Sequence, residues 1–112
     1  MEKLLTEITV TIQKYKDLDD KLDFQQCETL VNLMKDLSSN LFFLETHLND
    51  ARQEYYTTIH NLKKEGNANS SAETEAKHRH PDKRMLEQLT RSAGKVLESI
   101  RSHLSYLKNE KQ

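Results

Sequence analysis

Glycine and proline are nearly missing from this chain, whose 112 residues include two glycines and one proline. Turn-dense β architectures need both at their chain reversals, so this scarcity excludes a sandwich or barrel and predicts an all-α fold. Tryptophan is absent, and Cys27 is the only cysteine. A single thiol rules out an internal disulfide and a cysteine-based zinc site, and it reads as a small hydrophobe. No apolar run approaches the ~18 residues that span a bilayer. Residues 1–10 also lack the basic start and unbroken apolar core of a signal peptide. The expected location is cytoplasmic, with no membrane partner. There is no glycine-rich phosphate loop and no recognisable motif setting a serine, cysteine or threonine with a base and an acid, so neither an enzyme nor a cofactor is expected.

A chain of this length buries only about two thirds of its extended surface, enough for one domain, 1–112, and not for a second core. Its net charge of -1 is unevenly placed. Residues 1–75 carry 8 Lys+Arg against 14 Asp+Glu, a balance of -6, and residues 76–112 carry 9 against 4, a balance of +5. Complementary halves fit a tail folded onto the front, head-to-tail contact between copies, or an anionic partner for the tail.

Leu4, Leu5, Ile8, Ile12 and Tyr15 recur at helical spacing, and the acidic run Asp17–Asp20 marks an end, which predicts a first helix over 2–17. Asp23 followed by Gln26 has the form of a capping box. From there Cys27, Leu30, Met34, Leu37, Leu41, Leu44, Leu48, Ala51, Tyr55, Thr58 and Leu62 alternate by three and four. This is the a/d pattern of a coiled-coil seam, and its continuity through Ser38-Ser39-Asn40 predicts one long helix over 24–65. A connector over 66–80 follows, with Ser70 and Glu73 as a second capping box for a short helix over 71–79. Pro81 suits the first turn of a final helix over 81–108, whose seam runs through Leu86, Leu89, Ala93, Val96, Ile100, His103 and Leu107. The expected architecture is an elongated, oligomer-forming helical bundle with one long central helix.

The three main helices would have about 16, 40 and 27 residues, so the shorter two cannot enclose the long one symmetrically. Exposed seam then predicts a homo-oligomer. The run Leu41-Phe42-Phe43-Leu44 points the same way, because four consecutive residues at about 100° each circle the helix and no single partner helix can bury them. With Leu48 they form the expected oligomer interface.

The final helix is two-sided. Its apolar residues from Met85 to Leu107 fall within an arc of ~120°, and Lys83, Arg84, Arg91, Lys95, Arg101 and Lys108 occupy much of the other side. Such a face can track phosphates, while Glu87 with Arg91 and Glu98 with Arg101 have the spacing of ordinary surface ion pairs. Tyr55 and Tyr56 follow Arg52, and aromatic rings beside cations can stack on splayed bases. Tyr55 is a seam residue, which leaves Tyr56 the freer ring. Glu75 and His78 have the spacing of one half of a di-iron bundle site, but no second such pair exists, so no metal is expected. His103 sits at a seam position, where its ring needs a hydrogen-bond partner or the edge of the bundle.

The segment ARQEYY at 51–56 resembles the core of the LKARLDYY motif in phage recombination mediators of the UvsY type. DKRML at 82–86 and KVLESIRS at 95–102 are similar in type and order to that family's final helical region. Arg52 matches the motif's arginine, Tyr55 and Tyr56 its tyrosines, and Asp50 stands where the motif has lysine. The resemblance implies an oligomer that binds single-stranded DNA and helps to load a recombinase.

Two functions are open at this level. One is a non-enzymatic helical assembly protein, in its sharper form a recombination accessory that binds single-stranded DNA through Arg84, Arg91, Lys95 and Arg101, with Arg52 and Tyr56 assisting, and that meets a recombinase. The other is a small inhibitor or adaptor that covers a protein partner with its acidic front half and binds no nucleic acid.

Overall fold

A computed structural model describes residues 1–18 and 26–110. The described residues form four helices and no strand: α1 Glu2–Lys16, α2 Cys27–Lys64, α3 Asn69–Arg79 and α4 Asp82–Glu110. The expected cap of the long helix at Asp23 lies outside the described residues, and α2 runs unbroken through Ser38-Ser39-Asn40 for 38 residues. At about 1.5 Å per residue this helix is roughly 57 Å long. It sets the shape of the molecule, which measures 65 × 25 × 19 Å. The radius of gyration is 19.0 Å, against roughly 13 Å for a compact domain of this size. No helix among the described residues is long and apolar enough to cross a membrane.

α2 packs against each of the other three helices. α4 returns antiparallel to it, since Lys83 meets Tyr55 near one end, and α1 runs beside α4 in the same direction, with Tyr15 against His103 at the other end. Val10 and Thr11 face Ser39 and Asn40, so α1 is also antiparallel to α2. The main core joins Ile8 of α1 to Leu30, Leu37, Leu44 and Leu48 of α2 and to Leu86, Ala93, Leu97, Ile100 and Leu107 of α4. Burying each large side chain contributes about 1.5–3 kcal/mol against the conformational entropy of ordering the chain. Beyond Leu48 the core thins. There Tyr55 and Leu62 of α2 and the fully buried Ala72 and Ala76 of α3 close the far end, small side chains allowing α3 to lie close.

α1 packs against both α2 and α4, and part of the surface of α2 stays exposed. The Leu41–Leu44 run shows the consequence. Leu44 is fully buried and Leu41 half-buried, but Phe42 and Phe43 are 66% and 53% exposed. The four-sided burial that this run implies is therefore not reached within one chain, because α1 and α4 together cover only part of the circumference of α2. Phe42 and Phe43 pack edge-to-face on each other, with ring centroids 5.7 Å apart.

Two helix ends differ from expectation or explain it. Ser70 does not cap α3: the helix begins at Asn69 after Ala68, without a side-chain cap, and the Ser70 carbonyl accepts a bond from Thr74 inside it. α2 ends in a Schellman motif, in which the N–H groups of Gly66 and Asn67 donate to Lys63 and Leu62 and Gly66 adopts φ 95°. Gly94, by contrast, sits inside α4. A Cβ at either glycine meets nothing within 4 Å, so substitution effects at both are those of the backbone alone. Gly94→Ala should raise stability by about 0.5–1 kcal/mol through helix propensity. Gly66→Ala should lower it by about 1–2 kcal/mol through the left-handed conformation. Thermal melts of the two variants moving in the same direction would contradict this.

Candidate nucleic-acid interface

The cationic residues of α4 separate into an outer ridge and a packed end. At about 100° per residue, Arg84, Arg91 and Lys95 fall within roughly 40° of one another, directly opposite the buried line through Leu86, Ala93 and Ile100. All three are exposed. The ridge runs for about 16 Å along the helix. Arg101 is exposed too, but it lies ~80° or more from the other three around the helix, so the four expected phosphate contacts do not form one line.

Lys83 behaves differently. Its side chain is only 20% exposed, with the ammonium 3.0 Å from Glu87 and 4.5 Å from the centre of the Tyr55 ring. Arg52 reaches the same carboxylate from α2, Nε to Oε1 at 3.4 Å. The hydrogen bond from Lys83, then the Arg52 guanidinium, holds the Glu87 carboxyl below the usual glutamate range. Arg52 is thus a brace between α2 and α4 as well as a candidate contact. Glu87 pairs with these two cations and not with Arg91, and among the described residues Arg84, Arg91, Lys95 and Arg101 have no ion-pair partner.

A depressed folded-state pKa means that the Glu87 contacts stabilise the fold above its unfolded value of about 4.3, and that this contribution is lost as pH falls through the folded value. Glu87→Gln should cost about 0.5–1 kcal/mol at pH 7, with the difference from the parent shrinking in strong acid. Urea unfolding at the two pH values measures it, and an equal gap at both would exclude the clasp.

Tyr56 is 60% exposed, one edge resting on the buried Tyr55 with centroids 5.3 Å apart. Arg52 and Tyr56 are four residues apart and share one side of α2. Asp50, the acidic departure from the mediator motif, points to nearly the opposite side, two helical positions from Arg52. It lines a cleft with His47 and Glu54. Its charge is therefore turned away from Arg52 and Tyr56. Of the expected oligomer-interface residues, Leu44 and Leu48 belong to the chain's own core, Leu41 is half-buried, and Phe42 and Phe43 are exposed.

Two of the five histidines, His80 and His103, make side-chain contacts between helices or with the α3–α4 corner. His103 is exposed, and its Nδ1 lies 2.6 Å from the Tyr15 hydroxyl, which answers the polar seam position by joining α1 to α4. Burial raises the Tyr15 phenol above its ordinary range, with the Ser99 hydroxyl acting the other way, so it remains a hydroxyl at neutral pH. His80 Nε2 lies 2.7 Å from the Thr58 hydroxyl. Glu75 pairs with Arg79 at 2.9 Å. Among the described residues no three His, Cys, Asp or Glu side chains come together as a group that could hold a metal ion.

Among the described residues one ion pair joins an acid of the front half to a cation of the tail, Glu75 with Arg79 inside α3. Among the described residues the ion pair joining the two halves across α2 and α4 is Arg52–Glu87, a front-half cation with a tail-half acid, the reverse of the overall imbalance. Arg84, Arg91, Lys95 and Arg101 remain exposed on α4. No protein-family model, curated protein or solved structure matches this chain.

Proposed function

We propose that this chain is a non-enzymatic helical assembly protein whose α4 ridge holds the phosphodiester backbone of a single-stranded nucleic acid. The observation that carries this reading is the outer line of Arg84, Arg91 and Lys95, three exposed cations without an ion-pair partner among the described residues on a rigid helix. Tyr56, exposed beside Arg52, supplies a face on which a base can stack, at about 1–3 kcal/mol per base. A recombinase as protein partner belongs to the same reading and is supported by the resemblance of ARQEYY, DKRML and KVLESIRS to recombination mediators. Self-association is supported by the exposed Phe42–Phe43 pair and by the opposite charge balance of the two halves.

The test is affinity for a fluorescent single-stranded oligonucleotide across a salt series. Three phosphate contacts predict a slope of log K against log salt near -2, about 0.7 per contact. Binding that ignores salt, or no binding at low salt, removes the nucleic-acid reading. The exposed phenylalanine pair also favours the second reading, an adaptor or inhibitor that docks a protein. That reading expects one protein partner, lost on Phe42→Asp, and no response to oligonucleotide.

A further inference from the structure

α3 ends at Arg79 and α4 begins at Asp82, so His80 and Pro81 carry the chain round a corner on the side of α2. An open cleft of about 490 Å³ lies at this corner. Lys77 of α3 and Lys83 and Arg84 of α4 line it, with His80 and Pro81 between them and Tyr55 and Glu87 from the packed side. Three cations meet one carboxylate there, a balance of +2 with His80 neutral. That carboxylate is already engaged by Lys83 at 3.0 Å and by Arg52 at 3.4 Å. Thr58 holds the His80 ring through Nε2. One wall of the cleft is thereby fixed, while Lys77 and Arg84 have no side-chain partner among the described residues.

We propose that the α3–α4 corner is a binding site for a phosphate monoester. A monoester carries a charge of about -1.5 to -2 at pH 7 and three acceptor oxygens, which matches a cleft with an excess charge near +2 and donors arriving from two helices. A phosphodiester in the middle of a strand carries one charge and needs only one cation, as each ridge position offers. The monoester could belong to a free nucleotide or to the phosphorylated end of a strand. Arg84, shared by corner and ridge, would continue the second of these along α4.

The experiment titrates the full chain with inorganic phosphate and with a nucleoside monophosphate, following backbone amide resonances of Lys77, His80 and Arg84 by NMR. Saturable shifts confined to the corner are expected. Lys77→Ala should weaken them about tenfold and Lys77→Arg should restore them, with circular dichroism showing both variants folded. No saturable shift with either probe, or shifts indifferent to Lys77→Ala, overturns the site. Oligonucleotides with and without a terminal phosphate then separate the two sources. A phosphorylated end that binds about tenfold tighter than its hydroxyl counterpart assigns the site to strand ends, and equal binding of the two, with nucleotide still shifting the corner, assigns it to free nucleotide. A corner response without any DNA affinity keeps this site and removes the ridge function; DNA affinity without a corner response does the reverse.

Discussion

Leu44→Asp should abolish the folded state, whereas Phe43→Asp, one residue earlier in the same helix, should leave it intact. Leu44 is fully buried in the main core between the three long helices. Replacing it removes about 1.5–3 kcal/mol of apolar burial and sets a carboxylate where no cation has been placed to meet it. An unpaired buried charge adds several kcal/mol more, even if it escapes by taking up a proton. A chain of this size has about 5–15 kcal/mol of stability in total, and its elongated shape gives it a thin core. The loss therefore reaches the whole. Phe43 is 53% exposed, and surface changes of that kind fall within about 0.5 kcal/mol. Far-ultraviolet circular dichroism with thermal melts distinguishes the pair. Light scattering adds a second readout, because the parent should exceed the 13.1 kDa monomer mass and Phe42→Asp or Phe43→Asp should return it to that mass while helicity stays. Oligomers that survive both phenylalanine variants would contradict a role for this run in assembly.

What was legible in the chain was whatever one helix records along its own length. The three-four alternation from Cys27 to Leu62 marks a continuous line of contact, and every member of it is buried or half-buried. It could be read because α4 and α3 together follow α2 from end to end. The exposed side of the same helix left no comparable record. Phe42 and Phe43 have the composition of a core and the position of a surface, and spacing alone cannot say how much of a helix its own chain will cover. Contacts between distant residues were also invisible. Arg52 and Glu87 are 35 positions apart, and helical spacing, which offers Glu87 both Lys83 and Arg91, does not reveal that it pairs with Lys83 and Arg52. Lys83 counted as one more cation of a polar face until the Tyr55 ring came beneath it. The corner between α3 and α4 depends on where Pro81 turns the chain, which brings Lys77 and Arg84 to one cleft although they sit on different helices. The only trace in the sequence was the charge density of residues 77–84 around a single proline.

Arg91→Glu combined with Lys95→Glu should weaken binding to single-stranded DNA by one to two orders of magnitude, the largest functional effect expected of any surface change. Both side chains are exposed, opposite the buried face of α4, and neither takes part in an ion pair among the described residues, so the exchange should cost little stability. Two phosphate contacts are lost and two repulsive charges take their place. The salt slope should fall by about 1.4 as two counterion-releasing contacts disappear. Net charge must be controlled, since the double reversal moves it from -1 to -5 and a more acidic protein repels DNA at long range. Lys14→Glu combined with Lys35→Glu makes the same change at exposed positions on α1 and α2. If the ridge is the contact line, this control should lose only a few-fold in affinity and keep the parent's slope. Arg101→Glu should fall between the two, being on the same helix but ~80° from Arg91. Equal losses in the ridge variant and the control would mean that DNA responds to overall charge and that α4 has no ridge in the functional sense.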